Sequence, residues 1–192
     1  AKITAYSIPI EKFPVVSEKT KLVKTSLSVL EDYFYVGFGI LVQTTNEEEK
    51  IKTASPDIFE LGTGNSDCKW DQILLALKSS QRPIARYGVN IGALYIENRT
   101  YLYCAGGQLL TNENTLESYD MFNLIEVLEK RSKTEWAYYR LDKNKIQGPN
   151  HLVYMPFING YTYYDKESEN LLIMGGTLGK ESINELAFYD FE

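Results

Sequence analysis

Apolar and aromatic residues occur in short runs separated by polar turns, and three of these runs end in glycine. Each run has the length and the tyrosine-rich or aliphatic composition of a β-strand. The interval from Gly39 to Gly107 is 68 residues, and the interval from Gly107 to Gly176 is 69 residues. A nearly constant interval indicates a structural unit that repeats along the chain. The runs and their glycines are Tyr33–Val36 with Gly37 and Gly39, Tyr101–Ala105 with Gly106 and Gly107, and Leu171–Met174 with Gly175 and Gly176.

Further strands are predicted at corresponding places in each repeat, because short apolar runs recur between polar or glycine-rich turns. A separate strand is predicted near the start of the chain, at Ile3–Ile8. The polar stretches after the glycines, 43–55, 108–121 and 177–183, are predicted to be loops of different lengths. The predicted strands are 25–30, 33–39, 56–61 and 70–75 in the first repeat, 90–96, 101–105, 123–129 and 136–141 in the second, and 152–164, 171–174 and 184–190 in the third.

The repeat predicts an all-β architecture in which four-stranded antiparallel sheets stack on one another. A single sheet of this kind cannot bury both of its faces, so neighbouring repeats must cover each other. Radial stacking of four-stranded sheets gives a β-propeller. Glycine lets neighbouring backbones approach closely near the axis, and tryptophans that begin outer strands would fill the space between sheets. We therefore assign structural roles to Gly37, Gly39, Gly106, Gly107, Gly175, Gly176, Trp70 and Trp136.

A diglycine after an apolar strand, a following strand with Tyr or Phe, and a tryptophan at regular spacing together resemble the kelch repeat. The loop Arg82–Gly88 is similar to the loop between blades in that family. The first repeat departs from the pattern, because Phe38 separates its glycines. The resemblance implies kelch-like propeller blades of four antiparallel strands. The expected parts of this single partial propeller, 1–192, are the end of a preceding blade at 1–20, blades at 21–78 and 79–142, and a blade lacking its last strand at 143–192.

Both ends of the chain match the third strand of the repeat, since Ala1–Ser7 aligns with Asn184–Asp190. About three blades would leave two open apolar faces, whereas propellers typically have about four to eight blades. We therefore expect a part of a larger ring, completed by further blades of the same or another chain, or by a second copy. A ring of two copies would duplicate the third strand of the shared blade, which favours a piece of a longer propeller.

The net charge limits the expected partners, and the cysteine content indicates the expected cellular compartment. The chain has 20 basic and 26 acidic residues, a net charge of −6 and no basic patch, so nucleic acid is not an expected partner. No apolar stretch approaches the ~20 residues of a membrane span. Cys68 and Cys104 are predicted to be free thiols, with a single disulfide bridge as the alternative. Free thiols are typical of a reducing compartment, so a cytoplasmic location is expected.

Few residues in the chain suggest catalysis. His151 is the only histidine, so a His/Cys metal cluster is not expected, and a Ser-His-Asp triad could be built only around it. We predict no catalytic residue, no metal site and no cofactor. For the loop arginines, the favoured alternative to partner contact is that their guanidinium groups bond backbone carbonyls and brace adjacent blades. The candidate partner-binding residues are Arg82, Arg86, Tyr87 and His151.

Two functions are compatible with this organisation. Loops of variable length on a rigid ring are typical of a recognition surface, and the resemblance to kelch proteins implies protein–protein interaction as a scaffold or adaptor. The alternative is a carbohydrate-active kelch-propeller enzyme such as a sialic acid mutarotase, in which Arg86 and His151 would be the first residues to test. The interaction module is favoured, because the chain lacks paired titratable groups that recur between the repeats.

Overall fold

The computed structural model describes residues 17, 19–45, 48–62, 69–73, 82–110, 125–133, 135–140, 160–168, 170–178, 181–182 and 186–190. Every regular element within these residues is a β-strand. The predicted strand Ile3–Ile8, most of the predicted strand 152–164, Cys68 and His151 lie outside them. The strands are β1 (Thr20–Val23), β2 (Ser26–Leu30), β3 (Tyr33–Gly37), β4 (Ile40–Thr45), β5 (Glu48–Ala54), β6 (Ile58–Gly62), β7 (Asp71–Gln72), β8 (Asn90–Ile96), β9 (Arg99–Ala105), β10 (Ile125–Lys130), β11 (Trp136–Arg140), β12 (Tyr161–Asp165), β13 (Asn170–Met174), β14 (Thr177–Leu178), β15 (Glu181–Ser182) and β16 (Leu186–Asp190).

Three sheets repeat the same plan. The first sheet has the order β2-β3-β6-β7, the second sheet β8-β9-β10-β11, and the third sheet β12-β13-β16. All neighbouring strands in them are antiparallel. The prediction of an all-β chain built from antiparallel sheets of three to four strands is therefore confirmed.

The turn between β8 and β9 is tight because its residues accept left-handed backbone angles. In the turn between β8 and β9, Glu97 and Asn98 have φ angles of 48° and 62°. Two consecutive positive φ angles are typical of the type I′ hairpin turn, whose twist matches the twist of the flanking strands. The turn fixes the register of the hairpin, in which Asn90 is paired with Ala105 and Ile96 with Arg99.

The prediction of a loop at 43–55 was wrong. Strands β4 and β5 form a hairpin there, and β1 pairs with β4 to complete a separate sheet, which we call the side sheet. Ile40 and Val42 lie on one face of β4 and are buried with Tyr87 in a small core of their own. The acidic composition of 47–49 suggested a solvated loop, but a hairpin needs only one alternating apolar face to be stable against a neighbour.

The predicted loop at 177–183 also contains a hairpin, formed by the short strands β14 and β15. It follows β13 directly, just as the β4–β5 hairpin follows β3. The corresponding segment of the second repeat, 111–124, lies outside the described residues. In both described cases the hairpin is inserted immediately after the glycine pair.

The glycine pairs form the same backbone turn in all three repeats. Gly106 and Gly107 have φ angles of 68° and 93°, and Gly175 and Gly176 have φ angles of 63° and 100°. In the first repeat the corresponding residues are Phe38 and Gly39, with φ angles of 56° and 106°. Phe38 therefore occupies a left-handed position that costs a residue with a side chain about 1–2 kcal/mol. Its ring is fully buried between the first and second sheets, which offsets this cost.

Gly37 has a different role, which is steric. It is the last residue of β3, and a Cβ atom at this position would lie 2.8 Å from Cγ1 of Ile58 and 3.0 Å from the carbonyl oxygen of Asp57. The backbone of β3 thus passes β6 at a distance that only glycine permits.

The main core lies between the first and second sheets. Trp136, at the start of β11, is 1 % exposed and packs edge-on against Tyr35, with ring centroids 6.2 Å apart. At one margin of this core Lys130 Nζ lies 2.7 Å from an oxygen of Glu60 and 5.4 Å from the Trp136 ring centroid. Trp70, before β7, is half-buried. The other buried members of the core are Phe38, Ile58, Ile73, Val89, Ile91, Ala93, Leu102, Cys104 and Leu128.

Strand β8 is an edge strand of its sheet, and side chains from both neighbouring sheets satisfy its free backbone groups. Ser26 Oγ donates to the carbonyl oxygen of Val89. Ser28 Oγ accepts from the Ala93 N–H at 3.0 Å. From the third sheet, Thr162 donates its hydroxyl to the Ile91 carbonyl at 2.5 Å, and the Tyr164 hydroxyl donates to the Tyr95 carbonyl at 3.1 Å. Strand β8 therefore lies between β2 and β12, and the three sheets are adjacent in chain order.

Candidate functional site

The loop 82–88 is held at the end of the sheets where the glycine pairs lie, which we call the glycine end. The N–H of Gly39 donates to the carbonyl oxygen of Arg86 at 3.1 Å. Tyr87 and Gln108 exchange two backbone hydrogen bonds, of 3.1 Å and 2.8 Å. Gly107 makes this approach possible, since a Cβ atom there would lie 2.9 Å from the carbonyl oxygen of Tyr87. The loop is therefore bonded to both the first and the second glycine turn.

Arg86 lies at the centre of this end and has no exposed surface. Its Nε donates to the carbonyl oxygen of Gly106 at 2.7 Å, and Nη1 donates to the carbonyl oxygen of Ile84 at 3.0 Å. Nη2 approaches the carbonyl oxygen of Cys104 at 3.4 Å. The guanidinium carbon lies 4.8 Å from the ring centroid of Phe38, a distance typical of a cation–π contact. Arg86 thus links the first sheet to the second.

Glu126 of β10 is the counter-ion, and it is equally buried. Its Oε2 accepts from Arg86 Nη1 in a short ion pair. Its Oε1 accepts from the hydroxyl of Tyr138 at 2.5 Å and from the N–H of Ile84 at 3.2 Å. Arg140 Nε in turn donates to the Tyr138 hydroxyl at 3.0 Å. A buried ion pair is tolerated only when its remaining donors and acceptors are satisfied, and this one meets that condition.

Three of the four predicted partner-binding residues are described, and their environments differ. Arg82 is exposed, whereas Arg86 is completely buried and Tyr87 is 4 % exposed. Lys24, an exposed cation, lies 4.8 Å above the Tyr87 ring. The bonds of Arg86 to backbone carbonyls have the geometry that the bracing alternative expects. Partner contact through Arg82, Tyr87 or His151 stays a prediction.

Glu126 was not among the candidates from the sequence, although the sequence carries a signal for it. It interrupts the apolar run Leu124–Leu128 at a position where a strand in the core has no access to water. A carboxylate at such a position requires a charged or hydrogen-bonding partner. Arg82 and Arg86 of the loop 82–88 could have been considered as that partner.

The environment of the ion pair makes Cys104 and Tyr138 poor reactive groups. Burial raises the pKa of the Cys104 thiol, the positive charge of Arg86 opposes the rise, and the charge of Glu126 adds to it. Burial, followed by the hydrogen bond to Glu126, raises the pKa of Tyr138 to about 12, with Arg140 opposing. Cys104 is a free cysteine, as predicted. A thiol that stays protonated is a weak nucleophile, so this cluster is suited to holding sheets together.

We expect the stability of the chain to fall as the pH rises above about 9. The ordinary pKa values of Cys104 and Tyr138 are 9.0 and 10.0, and both are higher in the folded chain. Between the ordinary and the raised values the unfolded chain has released protons that the folded chain retains, so the free energy of unfolding decreases with pH. Denaturant unfolding at intervals from about pH 8 to about pH 11 checks this. Tyr138→Phe should make the decline shallower, and an unchanged slope would contradict the assignment.

Within the described part of the chain, no group of three or more His, Cys, Asp or Glu side chains could hold a metal ion. No helix in that part is long and apolar enough to cross a membrane.

No family model and no curated protein matches the chain. Among solved structures the chain is similar to one described as "Structure of YjhT", with a TM-score of 0.49 and 17% identity. The alignment covers 86% of this chain and 42% of that chain, so this chain spans less than half the length of that structure.

Proposed function

We propose that the chain is a protein–protein interaction module of the kelch-like propeller type, whose three sheets are blades of a larger ring and which binds through the glycine end. The observation that carries the proposal is the position of the inserted hairpins. The β4–β5 hairpin and the β14–β15 hairpin follow the equivalent strands β3 and β13, and they differ in length. Insertions that vary at one fixed point of a repeated framework are typical of a recognition surface on a rigid scaffold.

The framework beneath that surface is held in one arrangement. Arg86 and Glu126 tie the loop 82–88 to β9 and β10, and Tyr87 and Gln108 pair beside them. The exposed cations Lys24 and Arg82 are attached to this braced region. A surface that is ordered before binding loses little conformational entropy when a partner docks.

We also propose that the protein is cytoplasmic and that it functions without a cofactor or metal. A reducing compartment keeps the Cys104 thiol free, and its high pKa is compatible with a structural role. The alternative of a carbohydrate-active kelch-propeller enzyme would assign Arg86 and His151 to the substrate. Arg86 already bonds three backbone carbonyls and one carboxylate, and this favours the interaction module.

The proposal is tested by reversing one charge at each end of the second sheet. Arg82→Glu changes the glycine end, and Lys133→Glu makes the same change in the exposed β10–β11 turn at the opposite end. Affinity capture with quantitative mass spectrometry should show that the proteins retained by the wild type fall at least about tenfold with Arg82→Glu, roughly 1.4 kcal/mol of binding free energy. Lys133→Glu should retain them. Equal losses in both variants, or no loss in either, would refute binding through the glycine end.

A further inference from the structure

The registers of the three sheets show which residues occupy equivalent positions. Each first strand begins opposite the residue that precedes the left-handed turn, as Ser26 is opposite Gly37, Asn90 opposite Ala105, and Tyr161 opposite Met174. When the residues of each first strand are counted from these pairs, positions two and four form one set of equivalent residues, and positions one and three form another. Because side chains alternate along a strand, the two sets point to opposite faces of their sheets. The sets are Leu27, Val29, Ile91, Ala93, Thr162 and Tyr164 on one face, and Ser26, Ser28, Asn90, Gly92, Tyr161 and Tyr163 on the other.

Each sheet therefore has a preceding face, which carries the first set and points to the sheet before it, and a following face, which carries the second set. Ile91 and Ala93 are buried in the core shared with the first sheet. Ser26 and Ser28, on the following face of the first sheet, bond the free edge of β8. Thr162, on the preceding face of the third sheet, bonds the same free edge at the Ile91 carbonyl. A following face thus meets a preceding face twice within this chain.

The first sheet exposes aliphatic side chains on its preceding face. Leu27 and Val29 are 60% and 52% exposed, whereas their equivalents in the second sheet, Ile91 and Ala93, are 1% and 3% exposed. The same positions that form the core of one interface are therefore open in the next. Leaving two aliphatic side chains of this size in water forgoes a favourable burial term.

The third sheet exposes aromatic side chains on its following face. Tyr161 and Tyr163 are 64% and 51% exposed, and Met174 beside them is 41% exposed. Their positions correspond to Asn90 and Gly92, which are buried in the second sheet. Within the described part of the chain, one preceding face and one following face are thus exposed, and these are the two kinds of face that pair inside it.

We propose that a second copy of this chain covers both faces, with the third sheet of each copy packed against the first sheet of the other. The two faces border one groove of about 300 Å³, which is lined by Leu27, Val29, Tyr161 and Tyr163 and crosses β8 at Gly92. Contacts of this head-to-tail kind form rings when the rotation closes. Two copies contribute six sheets of the repeated plan, and six lies within the range of about four to eight blades found in closed propellers.

The exposed tyrosines supply the chemistry that the interface needs. Inside the chain, hydroxyl groups bond the free edge of a neighbouring first strand. Ser26 and Ser28 do so from a following face, and Tyr164 does so from a preceding face, at 3.1 Å from the Tyr95 carbonyl. Tyr161 and Tyr163 carry the same group on the open following face, and their rings provide apolar surface for Leu27 and Val29. Tyrosine is enriched at interfaces because it combines these two properties.

The earlier preference for a longer propeller relied on Ala1–Ser7, which lies outside the described residues. The described strand nearest to it, β1, pairs with β4 in the side sheet and does not extend the first sheet. The exposed preceding face of the first sheet and the exposed following face of the third sheet are observed directly. They are the two kinds of face that pack against each other inside the chain.

Light scattering after gel filtration tests the proposal. The wild type should have twice the mass of one 22.0 kDa chain. Leu27→Lys alters the exposed face of the first sheet, and Tyr163→Glu alters the exposed face of the third sheet. Each variant should be monomeric, because its dimer dissociation constant should rise at least about a hundredfold. Val23→Lys is the matched control, because Val23 is an exposed aliphatic residue of the side sheet, and it should leave the dimer intact.

Mixing the two monomeric variants distinguishes this arrangement from others. One copy keeps its first-sheet face and the other keeps its third-sheet face, so the mixture should recover dimers through the remaining intact interface. A wild type that stays monomeric, or that grows into longer polymers, would overturn the proposal. So would a mixture that stays monomeric while circular dichroism shows both variants folded. None of these outcomes depends on binding through the glycine end.

Discussion

Replacement of Arg86 by methionine is expected to lower the free energy of unfolding by about 3–5 kcal/mol. Methionine fills much of the space of the arginine stem, but it leaves Glu126 as a charge with no exposed surface and no counter-ion. It also leaves the carbonyl oxygens of Gly106 and Cys104 without their donors. For a chain of this length, each kcal/mol lowers the melting temperature by about 2–4 °C, so a calorimetric scan resolves the effect easily.

Arg82→Met is the control for this change, because it removes a guanidinium from an exposed position of the same loop. A surface substitution of this kind should change the free energy of unfolding by less than about 0.5 kcal/mol. The double variant Arg86→Met with Glu126→Leu removes both charges, and its loss should be smaller than the sum of the two single losses by about 2 kcal/mol or more. Additive losses would mean that the two side chains act independently, contrary to the observed ion pair.

The result also separates bracing from partner contact. If Arg86 contributes through the sheets, Arg86→Met weakens binding only to the extent that it unfolds the chain or loosens the loop 82–88. Arg82→Glu should weaken binding with no change in melting temperature. The comparison therefore assigns the roles of two arginines that the sequence pattern groups together.

The strands of the three sheets could be predicted from the sequence because their signal is local. Alternating apolar residues, polar turns and a glycine pair define β8 at Asn90–Ile96 and the pairing of β9 with β10. A repeat strengthens each assignment, since the same pattern at the same interval excludes most accidental matches.

The features that the sequence did not predict depend on contacts between repeats. The side sheet was assigned as a loop because its charged residues are conspicuous, whereas the burial of Ile40 and Val42 depends on Tyr87, which is distant in sequence. The role of Phe38 also depends on contacts between repeats, so it could not be predicted from the local sequence. A phenylalanine at a left-handed position conflicts with local preference, and only the Arg86 cation above its ring and the surrounding core explain it.

The sequence predicted that an arginine of the loop 82–88 braces the blades, but it did not predict Glu126 as the partner of that arginine. Bracing by an arginine was the favoured alternative, and the bonds to Gly106 and Ile84 have the form that it requires. The sequence could not show whether Arg82 or Arg86 makes these bonds, because the two residues lie in the same loop and differ only in the direction in which the backbone points their side chains. A carboxylate within an apolar strand was the available clue to the partner of Arg86.

Trp136→Ala is expected to lower the free energy of unfolding by about 3–5 kcal/mol, the usual range for removing a large aromatic side chain from a core. Trp136 is 1 % exposed between the first and second sheets and contacts Tyr35 edge-on. Its loss would also remove the ring beneath Lys130, whose ammonium group bonds Glu60 across the same interface. Trp70→Ala should cost less, because Trp70 is only half-buried. Denaturant titration followed by circular dichroism measures both variants.

The two tryptophan variants test whether the first and second sheets unfold together. If the interface holds them as one unit, Trp136→Ala should shift the midpoint of a single transition and leave its slope unchanged, since the surface exposed on unfolding is the same. If the sheets unfold separately, the variant should split the transition into two or lower its slope. A loss below about 1 kcal/mol with a single transition would show that Trp136 is not in the core of the folded chain. The argument for stacked sheets, and for the uncovered faces at either end of the stack, depends on that interface.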